Sequence, residues 1–297
     1  MNNPVHGAAP AARAAARGAR AAARAAARGA RADRTFTQNS VRLAYRDYGG
    51  PGPPVLLLHG LAGYGGEWEA VARRLRPAWR VVTLDQRGHG ASERRPAAVS
   101  RASYVADVVA LIQELDLSPV VLAGQSLGGH TAMLVAAQRP AMVRALVLAE
   151  AGPGGPDTDG PARVGRWLDS WPVPFTSADA AVEFFGGGRA GRGWAAGLQA
   201  CADGWRPRFD RDVMVESLAE NARRSYWPEW QQVRCPTLLV RGEHGIIPPE
   251  HASEMVRRGR AVTVVADIPG AGHDVHLENP AAIARAMREF LRVLPAR

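Results

Sequence analysis

The sequence predicts an α/β fold, in which a mostly parallel β-sheet carries helices on both faces and a helical segment is inserted into it. From Thr35 onward, short runs of β-branched and aliphatic residues alternate with segments of helical periodicity, which is typical of this class. Several of these runs are apolar throughout, as expected for strands covered on both faces. The alternation stops at Gly152 and resumes at Cys235, so the residues between them form an insertion. With 297 residues, 46% of them hydrophobic, the chain is long enough for one such domain.

Each strand is predicted from a run of four to eight residues rich in Val, Leu, Ile or Thr. The predicted strands are residues 41–48, 55–58, 80–85, 120–124, 145–150, 237–241 and 263–268. Three helices have clear signals. They are residues 103–115, with apolar side chains on one face, 127–138, which follow a Gly-rich turn, and 280–294, which open on a proline after Asn279.

The chain divides into three parts. Residues 1–34 form an Ala/Arg-rich extension, residues 35–151 and 233–297 form the core, and residues 152–232 form the insertion, which we expect to act as a lid. The insertion is rich in Gly and Pro, is predicted to hold a few short helices, and lies where such a sheet presents its ligand crevice. It contains six of the eight Trp, namely Trp167, Trp171, Trp194, Trp205, Trp227 and Trp230. These rings can pack inside the insertion or line an apolar pocket over the core, and both readings stay open.

The extension carries most of the net charge. Residues 1–34 hold seven Arg and one Asp, a net charge of +6, out of +9 for the whole chain, which contains no Lys. The eight letters R-A-A-A-R-G-A-R occur at 13–20 and again at 24–31, a period of 11 that would place the Arg side chains on one face of a helix. Two interpretations follow: a weak anchor for phosphate or anionic lipid, or a low-complexity extension that is disordered on its own.

Composition excludes several classes of function. The remaining residues are nearly neutral and show no basic stripe with interleaved aromatics, so we expect no specific nucleic-acid partner. No apolar run approaches the roughly 20 residues of a membrane-spanning helix, and the extension lacks the apolar segment of a secretory signal. We therefore expect a cytoplasmic protein with two buried thiols, Cys201 and Cys235, and no integral membrane association. The oligomeric state stays open.

The most specific motif is G-Q-S-L-G at 124–128, placed between an apolar strand and a helix. A turn this sharp forces the central serine into a strained backbone conformation, and glycine is required on either side because larger side chains would collide. Ser126 is therefore the candidate nucleophile. The backbone N–H of Leu127, at the start of the helix, is a candidate donor to a developing oxyanion.

A serine hydroxyl is a poor nucleophile near neutral pH until a base accepts its proton, so a histidine is needed. His273 follows the last predicted strand, on a Gly-rich loop at the sheet edge that also carries Ser126, and is the candidate general base. His59 and His89 are predicted to be hydrogen-bonded loop supports, and His276 a structural neighbour. The turn at 59–63 supplies a second candidate oxyanion donor, the backbone N–H of Leu61.

Four motifs together resemble the α/β-hydrolase fold, in its group of esterases, lipases and haloperoxidase-like enzymes. They are H-G-L-A-G at 59–63, D-Q-R-G-H-G-A-S at 85–92, G-Q-S-L-G-G at 124–129 and G-A-G-H at 270–273. The resemblance covers about residues 35–297 and implies an eight-stranded sheet with a lid. In this group residues 85–92 form a structural loop, so no catalytic role is assigned to them.

The acid that should orient the histidine departs from the commonest pattern of the group, which places Asp where this chain has Gly245. Two substitutes exist. Glu150 ends the strand that follows the nucleophile helix, where some members of the fold place their acid, and Glu243 lies one residue after the glycine of its own strand. We favour Glu150 because its long side chain suits a strand close to the nucleophile, and Glu243 remains the alternative.

The expected function is hydrolysis of a carboxylic ester or lactone of a small to medium apolar substrate through an acyl-enzyme. No cofactor or metal is implied, since no ligand cluster or phosphate-binding loop is present in the sequence. Rival interpretations are a cofactor-free perhydrolase or lyase-type enzyme using the same residues, and a non-catalytic binding protein that keeps the fold. A third is an anion-binding protein acting through its Arg-rich extension.

Overall fold

The computed structural model describes residues 33–294, so the predictions made for residues 1–32 lie outside the described part. Ten strands occur in this part. They are β1 (Arg34–Gln38), β2 (Val41–Gly49), β3 (Pro54–Leu58), β4 (Arg80–Asp85), β5 (Val120–Gln125), β6 (Val143–Ala149), β7 (Gln199–Cys201), β8 (Gly204–Arg206), β9 (Thr237–Gly242) and β10 (Thr263–Ile268).

Eight of the strands form one sheet, in the order β1-β2-β4-β3-β5-β6-β9-β10, while β7 and β8 form a separate hairpin. The β1–β2 and β2–β4 pairs are antiparallel, and all other neighbours in the large sheet are parallel. The predicted α/β fold is thereby confirmed. β1 escaped sequence-based prediction because its residues, R-T-F-T-Q, contain a single apolar side chain. It begins at Arg34, the last residue that the sequence assigned to the extension.

Eleven α-helices accompany the strands in residues 33–294. They are α1 (Glu69–Leu75), α2 (Arg101–Glu114), α3 (Leu127–Gln138), α4 (Gly160–Asp169), α5 (Ala178–Phe184), α6 (Gly188–Ala196), α7 (Arg211–Leu218), α8 (Trp227–Trp230), α9 (Pro249–Arg258), α10 (Val275–Glu278) and α11 (Pro280–Arg292). The three predicted helices correspond to α2, α3 and α11. No helix of the described residues is both long enough and apolar enough to cross a membrane.

Two layers of helices cover the sheet, and the strands alternate their side chains between them. In β3, Leu56 and Leu58 pack into the layer formed with α2, α3 and α9, whereas Val55 and Leu57 pack into the layer formed with α1 and α11. All four side chains are fully buried. Both faces are apolar because helices cover both, which explains the uninterrupted apolar runs in the sequence.

The insertion, residues 152–232, holds α4 to α8 and the β7–β8 hairpin. Its own apolar cluster surrounds Trp171, whose ring centroid lies 4.7 to 6.3 Å from the rings of its aromatic neighbours. Leu127 of α3 packs into the same cluster, so the insertion is continuous with the core. Cys235 is buried as predicted, but Cys201 is only half-buried because it lies in the short hairpin.

The loop at 85–92 is a structural element anchored by a buried ion pair. The Arg87 guanidinium donates two hydrogen bonds to Asp107 of α2, at 2.7 and 2.6 Å, and both side chains are at least 96% buried, with 4% and 2% exposed. The Asp85 carboxylate accepts from the backbone N–H groups of Gly65 at 2.6 Å and Ala91 at 2.7 Å. These contacts fix the loop beside the sheet edge.

We expect Asp107→Ala to lower the free energy of unfolding by about 3–5 kcal/mol, because it leaves the Arg87 guanidinium buried without a counter-charge. Asp212→Ala, which removes a partner of the exposed Arg95, is the control and should have a much smaller effect. Urea unfolding followed by circular dichroism compares the two variants. Similar losses would show that the buried pair has no special role.

Candidate active site

Ser126 occupies a strained turn between β5 and α3. Its backbone has φ +49° and ψ −117°, a conformation that residues with a side chain rarely adopt. The turn is tight enough to exclude side chains on both sides. A Cβ atom on Gly124 would lie 2.3 Å from the backbone of Gly128, and one on Gly128 would lie 2.4 Å from the carbonyl oxygen of His59. The sequence prediction of a sharp strand-to-helix turn at Ser126 agrees with this geometry.

A cavity of about 1180 Å³ opens at the carboxyl ends of the parallel strands, between the core and the insertion. The candidate catalytic and oxyanion-binding residues, which come from four separate segments of the sequence, all line this cavity. The lining includes Leu61, Ser126, Leu127, Glu150 and His273. Within residues 33–294, no group of three or more His, Cys, Asp or Glu side chains is arranged to hold a metal ion.

His273 lies on the loop that follows β10 and is held against the nucleophile turn. The side-chain amide of Gln125, the residue before Ser126, donates to the backbone carbonyl of His273 at 3.0 Å. The imidazole Nδ1 of His273 lies 3.6 Å from Oε2 of Glu150, with 35% of the histidine side chain exposed and none of the glutamate side chain. One ring nitrogen of His273 therefore faces a buried carboxylate. Gln125 was not singled out from the sequence, because the second position of a G-x-S-x-G motif carries no fixed chemistry.

Glu150 follows β6 directly, with a positive φ of +51°. Its carboxylate is held by backbone N–H groups at the end of β9 and in the loop that follows it. Gly242 donates to Oε1 at 2.7 Å, Ile247 donates to Oε2 at 3.3 Å, and Ile246 also donates to Oε2. Three backbone donors compensate the carboxylate for its lost hydration, which is what allows it to be fully buried.

Gly245 lies against the same carboxylate. A Cβ atom at this position would lie only 2.1 Å from Oε1 of Glu150, 2.2 Å from Cδ and 2.3 Å from Oε2. The Glu150 carboxylate thus fills the space in which a side chain at 245 would begin. This overlap gives a physical reason for the absence of a carboxylate at 245.

Glu243 has a different environment. It is exposed, and its Oε2 accepts a hydrogen bond from the backbone N–H of Gly270 at 2.8 Å. This contact joins the loop after β9 to the turn after β10. The geometry is that of a side chain that supports a loop, whereas the structural interpretation of Glu243 from the sequence was a solvated charge in a turn or at a helix start.

The two candidate oxyanion donors, Leu61 and Leu127, both line the cavity beside Ser126. Leu127 is the first residue of α3, where backbone N–H groups have no partner within the helix. The turn that carries Leu61 approaches the nucleophile closely, because a Cβ atom on Gly60 would lie 3.5 Å from Cβ of Ser126. Positive charge of the helix terminus adds to the donors on this side of the cavity.

The other predicted loop histidines are buried supports. His59 accepts a hydrogen bond from the N–H of Gln86 at 2.9 Å, and burial lowers its pKa to about 4. His89 contacts the Arg87 carbonyl at 2.8 Å, and burial together with the neighbouring His59 lowers its pKa to about 3.

His276 is a buried neighbour as well. Its Nε2 lies 3.3 Å from the Glu67 carboxylate. Burial lowers the pKa of His276 to about 4 and raises the pKa of Glu67 well above its usual range, so burial disfavours the charged form of both side chains.

Comparison with known proteins places this site in a family. The model of the α/β-hydrolase family matches residues 55–286. The chain belongs to the α/β-hydrolase family. It is 28% identical over 250 residues to 2-(acetamidomethylene)succinate hydrolase of Mesorhizobium japonicum, covering 82% of this chain and 89% of the relative. It is 31% identical over 276 residues to 3-hydroxybutyrate-oligomer hydrolase of Cupriavidus necator, covering 84% and 92% respectively.

Solved structures agree with this assignment. The crystal structure of E-2-(acetamidomethylene)succinate hydrolase superposes with a TM-score of 0.79 at 25% identity, and the alignment covers 88% of this chain and 99% of the other. This α/β-hydrolase therefore has the fold and the sheet that the resemblance implied. The sequence-based prediction of the family is confirmed.

The buried imidazoles predict how stability depends on pH. The unfolded chain protonates these histidines near pH 6.5, whereas in the folded chain burial lowers the pKa of His59 and His276 to about 4 and of His89 and His130 to about 3. Between these values the unfolded state binds more protons, so these groups make the free energy of unfolding fall as pH is lowered from about 6.5.

We expect His130→Phe to make this slope shallower, by up to about 1.4 kcal/mol per pH unit between pH 6 and 4. Urea unfolding at half-unit pH intervals measures the slope for both proteins. An unchanged slope would mean that His130 is protonated in the folded state over the same pH range as in the unfolded chain.

Proposed function

We propose that this α/β-hydrolase is a serine hydrolase that cleaves a carboxylic ester or lactone through an acyl-enzyme intermediate. In the first step the Ser126 hydroxyl attacks the carbonyl carbon while His273 accepts its proton. The N–H groups of Leu61 and Leu127 stabilise the oxyanion, and Glu150 orients the imidazole. His273 then gives the proton to the departing alkoxide oxygen. Water, activated by the same histidine, attacks the acyl-enzyme and releases the acid and free Ser126.

One observation carries the proposal: the strained Ser126 shares a cavity with a histidine whose Nδ1 lies 3.6 Å from a fully buried carboxylate. Strained backbone and a buried charge both cost free energy of folding, and such features concentrate at sites of chemistry. The contact between Gly245 and Glu150 adds support. Residue 245 has no carboxylate, but the Glu150 carboxylate occupies the adjoining space and faces His273. The empty acid position at Gly245 therefore gives no reason to interpret the chain as a non-catalytic member of the fold.

The proposed substrate class rests on the cavity wall that the insertion provides. Val164, Trp167, Phe185, Trp194 and Leu218 give this wall an apolar and aromatic surface. Such a wall favours a small to medium acyl or alcohol group with apolar parts. One of the relatives is named as a hydrolase of a 3-hydroxybutyrate oligomer, which agrees with an ester substrate.

A fluorophosphonate probe tests the nucleophile. We expect it to label the wild-type protein at Ser126, because only an activated hydroxyl attacks phosphorus at a useful rate. Ser126→Ala should not be labelled, and intact-protein mass spectrometry measures the adduct. Labelling of Ser126→Ala to the wild-type extent would place the reactive nucleophile elsewhere.

Paired substitutions test the acid. We expect Glu150→Gln to lower kcat for a nitrophenyl ester by about 10³–10⁴-fold, since the imidazole loses the charge that fixes its tautomer. Glu243→Gln is the matched control and should act mildly. Gly245→Ala should resemble Glu150→Gln, because the added methyl group displaces the Glu150 carboxylate. If Glu243→Gln caused the larger loss, the role of the acid would pass to Glu243.

A further inference from the structure

His130 is a buried histidine that the proposed mechanism does not use. It lies one helical turn after Ser126 on α3, where its backbone N–H donates to the Ser126 carbonyl at 2.9 Å. Its side chain lines the same cavity as Ser126, with 7% of the residue exposed. Neither ring nitrogen has a hydrogen-bond partner among residues 33–294.

The imidazole is neutral under ordinary conditions. Burial, reinforced by the positive charges of Arg101 and Arg224, lowers its pKa to about 3. A neutral imidazole carries one N–H donor and one acceptor nitrogen. The ring packs edge-on against Tyr226, with centroids 4.4 Å apart, a contact that a phenylalanine ring would make equally well. Packing therefore does not explain why a residue with two unsatisfied polar atoms occupies this position.

Other residues that line the same cavity also carry unsatisfied polar atoms, among them the hydroxyl oxygen of Tyr226 and the side-chain oxygen of Asn221. Oδ1 of Asn221, from the segment that follows α7, is buried and has no hydrogen-bond partner in the described part of the chain. The cavity thus has two chemically different parts. One is the aromatic wall that includes Trp167 and Trp194, and the other includes His130 and Asn221, whose unsatisfied polar atoms are buried in the cavity wall.

We propose that His130 and Asn221 form a subsite for a hydroxyl group on the acyl part of the substrate, so that the preferred substrates are hydroxyacyl esters. This inference rests on the proposed function of Ser126. A hydroxyl both donates and accepts, and so matches an imidazole with a free N–H and a free nitrogen and an amide with a free oxygen. A carboxylate cannot donate a hydrogen bond and would face the partial negative charge of the Asn221 oxygen, and an alkyl chain satisfies none of these groups.

The spacing along α3 selects the position of the hydroxyl. Ser126 precedes α3, and the hydrogen bond from the His130 N–H to its carbonyl keeps the two backbones about one helical turn, roughly 5–6 Å, apart. When the acyl carbon is bonded to Ser126, a hydroxyl on the second or third carbon of the acyl chain therefore lies near His130. Rotation of the imidazole about its Cβ–Cγ bond breaks no hydrogen bond, because the ring makes none with residues 33–294.

The test compares the nitrophenyl esters of butyrate and 3-hydroxybutyrate, which differ only in the hydroxyl. We expect wild-type kcat/KM to favour the hydroxy ester by about tenfold or more, since the plain ester leaves buried polar groups unpaired. His130→Phe should reduce the ratio of the two kcat/KM values to about one. Val164→Ala, on the aromatic wall, is the control and should change both values by the same factor, which leaves the ratio as in the wild type.

The outcomes separate the two proposals. Hydrolysis of both esters with a wild-type ratio near one overturns the subsite and leaves the serine hydrolase intact. The subsite is also overturned if His130→Phe keeps the wild-type preference for the hydroxy ester. If His130→Phe does not fold, Asn221→Leu is measured in its place. If neither ester is hydrolysed and the fluorophosphonate does not react, the proposed function fails. In that case calorimetry tests the subsite by measuring the affinity of Ser126→Ala for 3-hydroxybutyrate and for butyrate. Equal affinities overturn the subsite.

Discussion

The buried carboxylate of Glu150 is the interaction on which the arrangement of the site depends. It follows β6, accepts hydrogen bonds from Gly242 at the end of β9 and from Ile246 and Ile247 in the loop after β9, and faces the imidazole of His273 after β10. One side chain therefore joins the ends of three neighbouring strands. A carboxylate with no exposed surface is tolerated only because backbone donors replace its hydration, so the loop after β9 and the position of Glu150 stabilise each other.

The nucleophile turn imposes a second constraint, which is steric. At Gly124 and Gly128 the backbone of the turn comes so close to its surroundings that no Cβ atom fits. This close approach brings the loop that carries Leu61 against Ser126, and the Gln125 side chain then holds the loop of His273. The strained turn thus sets the distances among segments that are far apart in the sequence.

The insertion gives the cavity its chemical character. The Nε1 of Trp194 donates to the carboxylate of Asp274 at 2.7 Å, next to His273, so the aromatic wall is connected directly to the loop of the base. His130 also lines the cavity and lies on the helix whose first turn carries Leu127. A cavity with one aromatic part and one hydrogen-bonding part distinguishes substrates by the position of their polar groups, and α3 of the core fixes His130 relative to Ser126.

The sequence by itself determined the order of strands and helices, the nucleophile turn at Ser126 and the position of His273 in a loop at the same sheet edge. These features are local, because uninterrupted apolar runs, glycine spacing and a proline at a helix start act through adjacent residues. β1 was missed for the same reason, since its polar residues become a strand only by pairing with β2. Two carboxylates remained possible partners of His273 in the sequence, and only the tertiary structure put Glu150 beside the imidazole and Glu243 on Gly270. The unsatisfied nitrogens of His130 were also invisible in the sequence, because whether a polar atom finds a partner depends on what packs around it in space.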